Sequence, residues 1–509
     1  MPAGDDERDY KARAAVMISR MAGVKGKARI ELPPDVVAPV HQRSPLRRVG
    51  RFADHLFKEE PNQLPVAEQC DVLVVGSGPA GLCAALGAAR AGVNVVLVER
   101  YGCFGGVITQ VGMETLGWYR YEGTTDVQGL GIELERLAAQ MGGTVKFPYN
   151  DSECLDGDFF KIVADHLVRE TPAIRPMLHT LVVEAIVEKG SVTGVIIEGK
   201  SGRRAIRAGR VVDCSGDADV AYLAGARFRK FARENMMGVT TVFNVAGVDK
   251  ARFLEYTERN PATYKNWSRG EWKQFTAGKE EALRSPYLDL EFEKAVESKV
   301  IPPPPPGTSI IGTWSGLSDA GEATNLNLVH ISGIDGTDDA DLTRAEMEGR
   351  RQTLSAIKAL KEVVPGFEHA KLRNFGMTLG VRDTRKIVGR YNLTKDDVLG
   401  ESRFVDSVGI FPEFVDGYSI LVLPTTGRYF HVPLGILVPE DVDNLLVGGR
   451  CVAGDRYSHS AMRNMMACTV TGQAAGVAAA ISFKAGVSVH ALDVKLVQEE
   501  LIRQGVRIT

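Results

Sequence analysis

Cys70-Asp-Val-Leu-Val-Val-Gly76-Ser-Gly78-Pro79-Ala80-Gly81 reads as a strand that runs straight into a glycine-rich turn. The apolar run Asp71–Val75 closing on glycine is the mark of a parallel strand buried on both faces. A helix is predicted from Pro79 to Ala91, with proline where a missing N–H costs nothing and Gly92 at its end. A second, β-branched strand comes next at Val93–Val98 and ends in the acid Glu99. The turn fits G-x-G-x-x-G: Gly76 for the tight turn, Gly78 for approach of a phosphate to the backbone, Gly81 for close packing of helix on strand. Strand, turn, helix N-terminus and acid together predict a dinucleotide site, with pyrophosphate on the helix start and ribose hydroxyls on Glu99.

The chain around this unit has 509 residues, 44% of them hydrophobic, which is enough for more than one core. A formal charge of −3 gives no field that would gather nucleic acid or anionic lipid over the whole surface. Cys70, Cys83, Cys103, Cys154, Cys214, Cys451 and Cys468 are odd in number and scattered, with no C-x-x-C pair, so no metal site is expected and reduced thiols in a cytoplasmic setting are. The opening MPAGDDERDY lacks the features of a secretory signal, and no stretch is read as long enough to span a bilayer.

Residues 1–68 are expected to form an N-terminal arm, helical over Asp9–Met21, with Arg47, Arg48 and Arg51 either solvated or contacting a second subunit or an acidic partner, and a homo-oligomer is expected. Strands are predicted at Thr180–Glu188, Val192–Glu198 and Arg210–Asp213, and a substrate-facing region of mixed pattern spans 228–440. Within it Pro302–Pro306 is a stiff connector. The first domain resumes with a strand at Asn444–Val447 and a small-residue helix from about Met462 to Ala485. The expected class is α/β: a Rossmann-like nucleotide-binding domain in two parts, 69–227 and 441–509, with an inserted α+β substrate domain at 228–440.

The segment just past Glu99, Arg100-Tyr-Gly-Cys-Phe-Gly105-Gly106-Val-Ile-Thr109, resembles the glutathione-reductase-like FAD proteins. More narrowly, this segment, Asp213–Asp219, Gly380–Gly389, Tyr429–Gly435, Asn444–Arg450 and the helix carrying Arg463, Cys468 and Gly472–Gly476 resemble the FAD-dependent oxidoreductases that share their nucleotide fold with fumarate reductase flavoproteins. The resemblance implies FAD as cofactor. It implies that Arg100, Gly105 and Gly106 run close to it, that Val183 offers main-chain bonds to adenine, and that Ser215, Gly216 and Asp217 approach the diphosphate and ribityl chain. Arg450 and a helix start at Gly472, Gln473 and Ala474 would complete the flavin pocket, a helix N-terminus there stabilising the negative charge that develops on reduction. No second G-x-G-x-x-G opens a βαβ unit, so electrons are expected from the substrate or from a transient donor.

The same resemblance brings Arg382, Arg385, Arg428, Tyr429, His431, Arg456, His459 and Arg463 near the flavin. Arginine would polarise a carbonyl or grip a carboxylate, and His431 with Tyr429 would move the proton, with Arg382, Arg385 and Arg463 on the substrate. Arg382 and Arg385 have a structural alternative as ion pairs with Asp383 or Asp406. Relatives carry a histidine nearer the position of Arg456, where this chain departs from the pattern and leaves the proton carrier open. Cys103 reads as a small buried hydrophobe rather than an attachment point. The function implied is hydride transfer between flavin N5 and a small organic substrate at a C–C or C–OH unit. The rivals are a monooxygenase using NAD(P)H and oxygen, and a flavin-binding protein with a non-redox cofactor.

Overall fold

A computed structural model of the chain describes residues 50–53, 56–59 and 63–509, except 116–126, 148–152, 271–272, 276–280 and 424–426. The chain divides into Met1–Asn62 and Gln63–Thr509. In the first unit Gly50–Ala53, which holds Arg51, pairs antiparallel with Leu56–Glu59. The helix expected at 9–21 and the arginines at 47 and 48 lie outside the described residues.

The second unit is built on the βαβ element read from sequence. Strand β1 (Val66–Val75) starts earlier than its apolar run because Val66 already pairs with Ala205. Helix α1 (Pro79–Arg90) comes next, then β2 (Val95–Val98), β3 (Ile174–Met177), β4 (Leu181–Glu188), β5 (Ser191–Gly199) and β6 (Gly202–Asp213). The sheet order is β3–β2–β1–β6–β5–β4. Strands β3, β2, β1 and β6 are parallel, with Val75 opposite both Val98 and Asp213, so three carboxyl ends finish at one edge. The first half of β6 pairs antiparallel with β5, and β5 with β4.

A second sheet contains β7 (Val239–Ala246), β8 (Thr308–Thr313), β9 (Gly316–Leu317), β10 (Glu322–Ile331) and, beyond helix α2 (Asp339–Val363), β11 (Lys371–Phe375). It is antiparallel, in the order β8–β10–β7–β11 with β9 on β10. The core between this sheet and α2 is aromatic, with Phe253 edge-on to both Trp314 and Phe367 at about 5 Å. Pro302–Pro306 forms no helix or strand, as its composition predicts. The short strands β12 (Val415–Gly417) and β13 (Ile420–Val422) form a hairpin in which Asp416 faces Leu421.

The chain then returns to the first sheet. Strand β14 (Leu445–Val447) lies parallel to the end of β6, with Val447 opposite Asp213. Helix α3 (Met465–Ala485) packs along α1 so closely that a Cβ at Gly472 would sit 2.1 Å from the Ala80 carbonyl oxygen and one at Gly476 2.0 Å from that of Ala84. One core runs from Val72 and Leu97 through Val408 and Val432 to Leu446 and Ala475. Helix α3 is long and apolar enough to cross a membrane, contrary to the reading that no stretch reaches that length, and here it is the buried spine of this core. The architecture is α/β, a Rossmann-like layer with an inserted α+β part.

Candidate active site

A cavity of about 440 Å³ opens at the carboxyl edge of the parallel strands. Its first part is the glycine turn. Gly76 adopts φ +91°, and a Cβ there would lie 2.3 Å from the Cys214 carbonyl oxygen. Gly106, at φ +54°, brings its backbone onto Gly78, where a Cβ would come within 2.4 Å of the Gly78 Cα. Gly105 shapes this approach by donating its N–H to the Ser77 carbonyl at 2.9 Å. A Cβ at Gly81 would meet the Gly76 carbonyl oxygen at 1.8 Å, so Gly81 serves helix-on-turn packing and stands behind the lining.

No side chain caps α1 at Gly78, so its first N–H groups are available to an anion on the cavity side. Glu99 is held at the tip of β2: Oε2 accepts from the Ser77 N–H at 3.0 Å and hydroxyl at 2.7 Å, and Oε1 from the Tyr101 N–H at 2.9 Å. Gly76, Gly78, Pro79, Ala80, Glu99, Arg100, Gly106, Ser215, Gly216, Asp217 and Arg450 all line the cavity. Val183 stands outside the lining at a bulge in β4, with Val182 inside it. Asp217 accepts from Thr384 Oγ1 at 2.8 Å and from the Arg450 guanidinium, whose Nε is buried without a partner. An uncapped helix start, a backbone channel that a Cβ would fill and an unsatisfied guanidinium donor suit a dinucleotide's phosphates and a flavin edge.

The second part of the cavity is the chamber between the two sheets. Arg382 donates to the Gly238 carbonyl at 2.9 Å, to Asn327 Oδ1 at 3.1 Å and to Thr240 Oγ1. Burial, and then the neighbouring Arg463, bring its pKa down to about 10. Arg463 donates to the Asp416 carboxylate at 3.0 Å and to its carbonyl. Asn325 is 1% exposed in a left-handed backbone, φ +50°, and donates to Ser315 Oγ at 2.7 Å and Thr115 Oγ1 at 3.0 Å. Phe147, Tyr264, Trp267, Phe414 and Leu421 form the apolar wall, with the Tyr264 and Trp267 rings stacked at 5.5 Å.

Several residues expected at the site are elsewhere. His431 and Tyr429 lie on a strand, Tyr429–Pro433, paired with Ser407–Pro412, outside the cavity. His431 Nδ1 accepts the Phe404 N–H at 3.1 Å, and Tyr429 is covered by Arg403 at 3.9 Å. Burial holds the His431 pKa below its ordinary value. Arg385 pairs with Asp219 at 3.0 Å and lies on the Tyr222 ring, bracing the turn behind Asp217. The Asp383 carboxylate pairs with Lys386 and Tyr418 rather than with Arg382. His459, beside this cluster, is neutral: burial, then Lys386, push its pKa down to about 3. Arg428 is held by Glu413 and Glu401, and Arg456 covers the Phe231 and Tyr418 rings.

The helix start expected at 472–474 lies further upstream in the chain. Helix α3 begins at Met465, and Asn464, Met465 and Cys468 face the cavity beside Arg463. Gly472 packs on α1, Ala474 is fully buried within α3, and Gln473 Oε1 accepts the Leu130 N–H at 2.9 Å, capping another helix. Asp416, Asn325 and Asn327 had no local sequence signal. They reach the cavity because a hairpin and a strand distant in sequence fold against it.

The family model for FAD dependent oxidoreductases matches residues 71–501. Among solved structures the chain is similar to a geranylgeranyl bacteriochlorophyll reductase-like protein from Thermoplasma acidophilum, at 15% identity and TM-score 0.42, covering 86% of this chain and 84% of that one. It is also similar to the p-nitrophenol 4-monooxygenase PnpA of Pseudomonas putida DLL-E4, at 14% identity and TM-score 0.44, over 86% and 85% of the two chains. A third is the myxobacterial chondrochloren halogenase CndH, at 13% identity and TM-score 0.40, over 86% and 79%. With a match over residues 71–501, a glycine turn laid against an uncapped helix and an acid at the next strand's tip, this chain belongs to the FAD dependent oxidoreductase family, enzymes whose cofactor is FAD.

Proposed function

We propose that the enzyme is a dehydrogenase or reductase moving a hydride between the flavin and a small organic substrate at a C–OH or C–C unit. The observation that carries this reading is the continuity of the nucleotide cradle with a chamber containing Arg382, Arg463 and Asp416. FAD, when bound, supplies the flavin that accepts or returns the hydride. Gly76–Ala80, Gly106 and Arg450 would hold it, with Glu99 at its ribose. Arg382 and Arg463 present fixed donors to the substrate, and their forks are already oriented by Asn327, Gly238 and Asp416. Asp416 takes the place expected of His431, as the group that receives or returns the proton. The aromatic wall keeps water from the reacting carbon.

Anaerobic addition of candidate alcohols and acids to the purified holoenzyme tests this. The expected result is bleaching of the oxidised flavin band, with Asp416→Asn slowing that bleaching about 100-fold and His431→Ala leaving its rate within about twofold, since His431 has no access to the cavity. Bleaching only by NAD(P)H, with oxygen then entering the product, would replace the reading by a monooxygenase. No bleaching by any donor would leave FAD a structural role.

A further inference from the structure

We infer that the chamber selects an organic monocarboxylate with a ring or other flat apolar body, its carboxylate lying between Arg382 and Arg463 and its body against Tyr264, Trp267 and Phe414. This deepens the reading above and rests on it for the location of the reacting carbon, though not for binding itself. Arg463 is neutralised by Asp416 at 3.0 Å. Arg382, on the same cavity, makes its hydrogen bonds to a carbonyl, an amide oxygen and a hydroxyl, and no carboxylate among the described residues forms an ion pair with it.

Asp416 acts on both guanidinium groups and balances only one of their two charges; the remaining excess of one buried positive charge is costly, and a ligand that supplies the balancing charge recovers that cost on binding. Arg463 Nε, in addition, is buried with no acceptor. An acceptor that offers two oxygens to guanidinium groups fits a carboxylate. One uncompensated positive charge calls for one negative charge, so a second carboxylate on the ligand would be left unpaired.

The shape of the far wall sets the remainder of the molecule. Tyr264 and Trp267 lie nearly parallel, at 12°, and Trp267 is backed by Tyr287 at 4.4 Å, so three rings form one aromatic platform. Leu421 continues it directly opposite Asp416 in the β12–β13 hairpin, which ties the apolar wall to the charged end. Flat apolar ligands gain from such a surface in proportion to the area they cover.

Equilibrium binding to the oxidised holoenzyme, followed by perturbation of the flavin spectrum and by calorimetry, needs no turnover and so separates this inference from the hydride-transfer reading. The probes are benzoate, benzamide, acetate and phthalate. Benzoate is expected to bind at least about tenfold more tightly than each of the others. Arg382→Met is expected to abolish the preference for benzoate over benzamide, and Arg382→Lys, which keeps the cation, to retain most of it. Melting temperature and FAD content of both variants establish that they are folded. Equal binding of benzoate and benzamide, an unchanged preference in folded Arg382→Met, or acetate binding as well as benzoate would overturn the inference. If benzoate binds as expected and no substrate bleaches the flavin, the proposed reaction fails while the binding site stands.

Discussion

Glu114 is an acid placed where an acid is expensive. It is 4% exposed, accepts the Gly157 N–H at 3.1 Å and pairs with the Thr324 hydroxyl, next to Thr115 at the chamber wall. Burial pushes its pKa from 4.5 up to about 7. In the folded protein it therefore keeps a proton that the unfolded chain has already released, so its effect on stability is nil below about 4.5, grows more unfavourable as pH rises to about 7, and is constant above. The shift corresponds to roughly 3 kcal/mol at most, at 1.36 kcal/mol per unit. Glu114→Gln, whose amide oxygen still accepts the Gly157 N–H and whose amide nitrogen donates to the Thr324 hydroxyl as a protonated acid would, is expected to match wild type in denaturant unfolding at pH 4 and to exceed it at pH 8. Equal stability at both pH values would show that the carboxyl is ionised in the fold at no cost.

At the scale of elements, the contact of α1 with α3 sets the site. Pro79 opens α1 on the phosphate side, and its other face is covered by α3 through Gly472 and Gly476. The obstacle to a side chain at Gly472 is backbone, the Ala80 carbonyl, which cannot rotate away. Gly472→Ala is expected to lower stability by about 1–3 kcal/mol and to weaken FAD retention as well, because the displaced residue, Ala80, lines the cradle. A thermal melt with cofactor content measured on the same sample checks both. Loss of FAD with no loss of stability would mean that Gly472 itself approaches the cofactor. The same contact explains the misplaced helix start: small residues at 472–476 suit a close-approach turn and a close helix pair equally, and only the length of the helix upstream distinguishes the two.

At the scale of the whole molecule, the parallel strands of the first sheet present their ends to a cavity whose other wall comes from the second sheet and the β12–β13 hairpin. A ligand lying along that cavity joins segments from Gly76 to Cys468, so its binding free energy is folding free energy for all of them. Free FAD at 100 times its dissociation constant is expected to stabilise the protein by about 2.7 kcal/mol, with the melting temperature rising with FAD concentration. If α1 and Glu99 hold the pyrophosphate and adenosine, riboflavin, which lacks both, should give little of this. An apoprotein whose melting temperature is indifferent to FAD would contradict the cradle.

By itself the sequence determined the βαβ unit, its glycine turn and Glu99, because these requirements are local: a tight turn, an unobstructed helix start and an acid at fixed spacing leave marks on consecutive residues. Asp217 and Arg450, expected near the cofactor from the family resemblance, line the cavity. Which of the later segments reach the cavity was settled only by how they pack. No residue of Tyr429–Pro433 lines the cavity, so both faces of that strand stand away from it, with His431 against Phe404, while a hairpin with no chemical motif brought Asp416 to Arg463. Pairings over such separations depend on how sheets pack, and packing is recorded in no short stretch of the chain.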